Sequence, residues 1–272
     1  MMTSLPIEFL KWFQTMKVSW SEIMVYRLNF LLMVIGPMLV LFFIKYNVWS
    51  SIYQGTPGQE INGYTFAEMI SYHLWFMIVS MLSMAYSGED LAEDIRLGRI
   101  SSYLIYPFNF WQFNTARFFS IECIQIGIAL ITLGISFLGF GHILGKLDLP
   151  AFCAGFGISI LVGFFWFTIQ YTTGLLAFWF EETWTFRVLF QIIAHFLSGA
   201  IIPLDFYPSW LVDILEYSPF PTLAYIPVKI FLGSYEEPLK AAFILLFWIV
   251  VSTCIAAWVW KRGLKLYTAA GM

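Results

Sequence analysis

The chain has 272 residues, of which 60% are hydrophobic and 11% are charged, and its formal net charge is −3. Soluble domains carry roughly 25% charged side chains, and a soluble fold of this length has too little interior to bury so much apolar surface. The small net charge and the scattered basic residues argue against a nucleic-acid-binding surface. The composition therefore predicts an all-α integral membrane protein.

The first segment, residues 7–27, precedes any apolar run long enough to span a bilayer. It spaces apolar and aromatic side chains three or four residues apart, as in Phe9, Trp12, Phe13 and Met16. This periodicity predicts an amphipathic helix that lies along the membrane surface.

Six apolar segments near the length needed to cross a bilayer follow. They cover residues 28–43, 66–86, 116–140, 151–180, 184–202 and 241–260. Most Lys and Arg residues fall on one side of these segments if the N-terminus is inside, which predicts that both termini are cytoplasmic. Cys123, Cys153 and Cys254 lie in apolar segments without Cys or His neighbours at metal-ligand spacing. We therefore predict buried, unpaired cysteines and no metal site.

The loop of residues 88–107 carries the densest cluster of charge in the chain. Leu91 and Ile95 share one face of a predicted short helix, and Gly98 is placed to end it. Two interpretations remain open, a solvated loop helix and a docking surface for a soluble partner. The charged residues that such a surface would use are Glu89, Asp90, Glu93, Asp94, Arg96 and Arg99.

A proline-rich stretch, residues 203–233, separates the last two predicted spans. Its prolines forbid one continuous helix, although the spacing after Pro208 predicts a short one. We expect short helices that re-enter the outer leaflet, either as a structural plug or as part of an exit route. The residues that mark this hairpin are Pro203, Asp205, Trp210, Pro219 and Pro227.

The order of these elements resembles the type-2 ATP-binding-cassette (ABC) exporter permeases. Three sets of residues carry the resemblance: 94–99 with 106–107, 198–203 with 225–227, and 263–267. The chain is most similar to the small six-span branch that pairs with a separate ATPase chain, and the resemblance covers nearly the whole chain.

The resemblance implies a complex of two permease chains, identical or paralogous, with two ATPase subunits in the cell's inner (cytoplasmic) membrane. It also implies that loop 88–107 docks on the ATPase and that hairpin 203–233 caps an extrusion path. ATP and Mg would bind the partner, and this chain would bind no cofactor. Its nearest approach to a phosphate-binding loop has Phe140 in place of the first glycine and Leu147 in place of the hydroxyl residue.

An intramembrane enzyme and a proton-coupled secondary transporter are the alternatives. The chain lacks recognisable catalytic motifs and an inverted repeat, so we expect a transport subunit rather than an enzyme. Charge within hydrocarbon is costly, so ionisable residues in the spans are candidates for a transport path, although interfacial snorkelling could account for both glutamates. These residues are Glu68, His73, Glu122 and His195. The aromatic content of 20% fits an apolar or amphipathic cargo.

Overall fold

The computed structural model describes residues 7–53, 59–83, 88–105, 108–144 and 148–270. Within these ranges, five helices are long and apolar enough to cross a membrane. They are α2 (Arg27–Ile52), α3 (Phe66–Ser83), α6 (Phe110–Leu144), α7 (Leu149–Leu175) and α12 (Pro238–Ala270). The prediction of an all-α integral membrane protein is therefore confirmed.

The N-terminal helix α1 (Ile7–Val25) is separate from the first span, because the backbone breaks at Tyr26. Many of its apolar side chains are exposed, including Phe9 and Phe13. It packs against α6, where Ser120 Oγ donates a hydrogen bond to the Met16 carbonyl at 2.9 Å. The structure thus forms the predicted separate helix, and its place at a membrane interface stays a prediction.

The first span is longer than predicted, because α2 continues to Ile52 instead of ending near residue 43. Lys45 interrupts the apolar run in the sequence, yet its ammonium donates to the Ala200 carbonyl at 2.6 Å. An internal partner of this kind lowers the cost of placing a charged residue in a spanning helix. Pro37 is likewise accommodated inside α2.

A small hairpin, absent from the sequence prediction, connects α2 to α3. Strand β1 (Glu60–Ile61) pairs antiparallel with β2 (Tyr64–Thr65), and the two turn residues between them, Asn62 and Gly63, have φ of 48° and 78°. Asn-Gly is the residue pair that such a two-residue turn favours. The hairpin leads directly into α3.

Loop 88–107 contains α4 (Glu89–Arg96) and α5 (Ile100–Ile105). The proline-rich hairpin, residues 203–233, contains a 3-10 turn (Leu204–Phe206), α9 (Ser209–Leu215), α10 (Phe220–Leu223) and α11 (Tyr225–Phe231). Helix α11 packs into the bundle, where Phe231 stacks on Trp75 with ring centroids 4.4 Å apart. The prolines therefore produce the expected series of short helices, and their depth in a leaflet stays a prediction.

The predicted fifth span, residues 184–202, is wrong as a full-length helix. Only α8 (Trp184–Leu197) is helical there, and its 14 residues rise about 21 Å, less than the ~30 Å hydrocarbon core. Gly199 ends the helical path with φ of +80°, and a Cβ at this position would lie 3.0 Å from the Tyr225 Cβ. The left-handed backbone at Gly199 therefore ends α8, and Tyr225 of hairpin 203–233 packs against this point.

Other predicted boundaries also shift. Helix α7 ends at Leu175 and a 3-10 turn (Leu176–Phe178) follows, so the fourth predicted span ends early. Helix α6 is kinked at Phe140, where the third predicted span ends.

The prediction of buried cysteines is wrong, because Cys123, Cys153 and Cys254 are all exposed. Outward faces of membrane helices meet lipid rather than water, so a small apolar residue is accommodated on the outside as well as in the core.

Candidate functional site

The charged loop packs closely against the end of α7. Leu91 and Ile95 are buried on one face of α4, as their spacing predicts. A Cβ at Gly174 of α7 would lie 2.8 Å from the Gly88 carbonyl oxygen, and a Cβ at Gly88 would overlap the Gln170 carbonyl oxygen. Two glycines therefore allow the loop and the helix to approach more closely than any side chain would permit.

The C-terminal part of α12 holds the same loop from another side. Tyr267 Oη donates a hydrogen bond to the Gly98 carbonyl at 2.9 Å, and Gly98 has φ of +70°, which ends the turn after α4. Gly263 packs against the Phe178 ring so closely that a Cβ there would overlap it. Segments 94–99 and 263–267 therefore meet in space, while residues 106–107 lie outside the described residues.

The polar face of the loop is a set of surface ion pairs. Arg99 approaches Glu93 at 2.6 Å and Asp94 at 3.2 Å, and Arg96 hydrogen-bonds the Glu181 carbonyl at 3.1 Å. The Arg99 and Glu93 side chains are 51% and 53% exposed. Exposed ion pairs contribute about 0–1 kcal/mol each, so these groups can exchange partners at little cost. Asp90 is exposed, and of Glu89 only the backbone is described.

Helix α1 reaches the same end of the bundle. A charged crevice of about 470 Å³ separates α1 from α4 and the start of α6, and its walls include Glu22, Asp90, Asp94 and Arg117. Tyr103 lines it too and donates a hydrogen bond to Asp94 at 3.2 Å. Burial and the Asp94 carboxylate raise the pKa of the Tyr103 phenol. The two terminal helices and the charged loop thus form one surface, which we call the coupling surface.

The opposite end of the bundle is held by Asp205 of the hairpin. Its carboxylate accepts hydrogen bonds from Tyr64 Oη at 2.5 Å and Tyr225 Oη at 2.8 Å, and it lies 3.3 Å from Lys229 Nζ. Burial and the bond to Asp205 raise the pKa of the Tyr64 phenol, which therefore remains a donor. Asp205 therefore joins strand β2 to hairpin 203–233.

The two segments of the second set that carries the resemblance, 198–203 and 225–227, also meet in space. The Tyr225 amide donates to the Ser198 carbonyl at 2.9 Å, and Tyr72 Oη donates to the Gly199 carbonyl at 2.8 Å. Pro203, Pro219 and Pro227 are buried. In contrast, Trp210 is 62% exposed on α9.

The four ionisable candidates of the spans do not form one cluster. Glu68 is exposed and caps the start of α3. Its carboxylate accepts a hydrogen bond from the Thr65 amide at 2.8 Å, and the Glu68 amide donates to Thr65 Oγ1 at 3.3 Å, which together form a capping box. His73 is buried and accepts from Trp49 Nε1 at 2.8 Å, and its Nδ1 lies 3.3 Å from Lys45 Nζ. A role in transport stays a prediction for both residues.

Glu122 is 2% exposed and lies apart from the other candidates. Neither carboxylate oxygen has a hydrogen-bond partner among the described residues, and a Cβ at Gly163 of α7 would lie 3.3 Å from Glu122 Oε2. A buried carboxylate without a donor is costly, and the described residues offer no compensation for it. Its part in transport also stays a prediction.

The fourth candidate, His195, lines a half-open cavity of about 340 Å³ between α2, α3, α7, α8 and α10. The polar residues in its wall are Ser80, Ser83, Gln170, Arg187, Gln191, His195 and Ser198. We call this space the membrane cavity.

The chain matches the family model described as ABC-2 family transporter protein over residues 16–271. It belongs to that family. The ABC-2 assignment confirms the resemblance to type-2 ABC permeases and makes this chain a membrane component of a transporter. No significant match was found among curated proteins or among solved structures.

Sequence reasoning about this ABC-2 protein overlooked two residues of the membrane cavity, Arg187 and Gln191. The signal was present, because Arg187, Gln191 and His195 are four residues apart and therefore form one stripe on α8. Selecting ionisable residues inside the spans one at a time does not reveal this pattern, because the three residues form it only together.

Proposed function

We propose that this chain is the membrane-spanning permease subunit of an ATP-driven exporter. Two permease chains, identical or paralogous, form the translocation path, and two ATPase subunits holding ATP and Mg dock on the coupling surface. One observation carries the proposal: the apolar face of α4 is fixed on α7 while the charged residues of the same loop remain at the surface.

Helix α7 supplies a mechanical connection between the two ends of the bundle. It meets loop 88–107, which we call the coupling loop, at Gly174, where a Cβ would lie 2.9 Å from Leu91 Cδ2. It meets the hairpin at Gly155, where a Cβ would lie 2.9 Å from Phe231 Cε1. These glycines are separated by about 28 Å of helix. Movement of α4 by the ATPase would therefore tilt α7 and displace the hairpin, which opens the path outward.

Copurification from native membranes tests the proposal. The tagged full-length chain should bring down an ABC ATPase subunit, and ATP hydrolysis should require that subunit. An intramembrane enzyme or a proton-coupled carrier would retain its activity alone, and this result would exclude the permease assignment.

A charge exchange tests the docking surface separately. Arg96 contacts residues 181–182 outside the loop, whereas Arg99 forms an ion pair with Asp94. Arg99 is therefore the residue whose charge is exchanged with that of Asp94. The double variant Asp94→Arg, Arg99→Asp keeps an internal ion pair with the charges reversed. We expect a folded permease that no longer stimulates the ATPase, because the partner meets the wrong charges.

The matched control exchanges an exposed ion pair at the hairpin end, Lys240 with Glu216, whose Nζ and Oε1 atoms are 2.8 Å apart. The variant Lys240→Glu, Glu216→Lys should leave ATPase stimulation unchanged. Normal stimulation in the Asp94 and Arg99 exchange would mean that these charges serve only the loop's own structure.

A further inference from the structure

Helix α8 has two chemically different faces. Trp184, Arg187, Val188, Gln191 and His195 all line the membrane cavity, and their spacing of three or four residues places them on one face. The other face is apolar and exposed. It consists of Phe186, Leu189, Ile192, Ile193 and Phe196. In a membrane helix, a polar stripe opposite an apolar face lines a cavity or a path rather than lipid.

The polar groups in the cavity wall are basic or neutral. Arg187 and His195 line it, and its lining contains no Asp or Glu within the described part of the chain. Lys45 lies just beyond, because its ammonium is 4.5 Å from the centre of the Phe76 ring and bonds to the carbonyl of Ala200. Both Phe76 and Ala200 are wall residues. Within the described residues, the cavity wall therefore offers a bound molecule hydrogen-bond donors and positive charge but no carboxylate.

The rest of the wall suits an apolar body. Met38 and Leu41 of α2, Phe76 of α3 and Trp166 of α7 line it, and Arg187 and His195 are about 12 Å apart along α8. Gln170 adds a buried Oε1 atom that has no hydrogen-bond partner in the described part of the chain. A hydroxyl or amide N–H group of a bound molecule would satisfy that acceptor.

We propose that the membrane cavity binds an amphiphile with an acidic head group, which lies against the Arg187–Gln191–His195 stripe while its apolar body packs on Phe76 and Trp166. This inference rests on the proposed permease function and names its substrate class. A membrane lipid and a free amphiphilic acid share this chemistry.

Energy transfer from the cavity tryptophans to a dansyl probe tests the assignment without ATP or an ATPase. The full-length permease is placed in nanodiscs of zwitterionic lipid and titrated with dansyl-undecanoic acid, its uncharged amide and its amine, with empty discs subtracted. The acid should bind about tenfold tighter than the amine, because the wall can donate charge-assisted hydrogen bonds only to an anion. Equal or tighter binding of the amine would overturn the proposal, and this comparison requires no variant.

Variants then locate the head group. Arg187→Gln should weaken binding of the acid by about tenfold or more while binding of the amide stays unchanged, since a hydrogen bond to a charged group is lost. Arg187→Lys, which keeps the charge, should retain most of the affinity. The matched control is Lys261→Gln, which removes an exposed positive charge in the C-terminal part of α12, outside the cavity lining. Equal losses in the Arg187→Gln and Lys261→Gln variants would overturn the assignment.

Competition identifies the source of the ligand. Displacement of the probe by phosphatidylglycerol in the disc would indicate a membrane lipid, and displacement only by free undecanoate would indicate a free amphiphilic acid. Probe binding that neither competitor displaces would contradict the site. If the acid fails to bind while an ATPase copurifies with the chain, the substrate assignment alone is wrong. If the acid binds and no ATPase copurifies, the permease assignment is wrong.

Discussion

The contact between the coupling loop and α7 can be tested with one methyl group. In the Gly174→Ala variant, the new Cβ would lie 2.8 Å from the Gly88 carbonyl oxygen and 2.9 Å from Leu91 Cδ2, whereas ordinary contact begins at 3.4 Å. The loop must therefore retreat by about half an ångström. Overpacking of this kind costs about 1–3 kcal/mol, and Ala in place of Gly returns up to about 1 kcal/mol through helix propensity.

Gly157→Ala is the matched control, because Gly157 lies on the same helix and a Cβ there would meet nothing within 4 Å. The propensity gain is shared, so Gly174→Ala should be less stable than Gly157→Ala by about 1–3 kcal/mol. Reversible unfolding in mixed micelles measures this difference. In the complex, only Gly174→Ala should also reduce ATPase stimulation, because it displaces α4. Indistinguishable variants in both assays would refute the close packing of loop and helix.

Two further substitutions test other parts of the bundle. Asp205→Asn removes the charge beside Lys229 and should lower the free energy of unfolding by about 1–3 kcal/mol, measured by the same unfolding assay. The exposed control Asp213→Asn on α9 should change the free energy of unfolding by less than about 0.5 kcal/mol. Equal losses of stability in the two variants would contradict a stabilising role for the Asp205 contacts. Glu122→Gln keeps the side-chain shape without the charge, and thermal unfolding should show unchanged or higher stability. A clear loss of stability would mean that the carboxylate is bound by a partner.

The features that the sequence predicts well depend on local chemistry. Leu91 and Ile95 are four residues apart on a short helix, so their burial follows from spacing alone. The prolines of the hairpin exclude a continuous helix for a covalent reason. Asn62 and Gly63 are an equally local signal for a β-turn, although the pattern of apolar segments gives no information about the loop around them.

The features that the sequence does not reveal depend on distant partners. Lys45 stays within a spanning helix because the Ala200 carbonyl, far away in the chain, accepts its hydrogen bond. Gly199, which follows the end of α8, packs closely against Tyr225, which is also distant in the sequence. Hydropathy averaged over a sequence window depends only on neighbouring residues, so it cannot detect either of these long-range contacts.

The side of the membrane on which the coupling loop lies tests the account most directly, because an ATPase can dock only where ATP is present. Ser101 on α5 and Ser209 on α9 are both exposed. Each is changed to Cys in a background in which the three native cysteines are replaced by Ser. In intact cells, a membrane-impermeant maleimide should label the Ser209→Cys variant, and it should label the Ser101→Cys variant only after permeabilisation. Labelling of the Ser101→Cys variant from outside would contradict the proposed coupling to an ATPase.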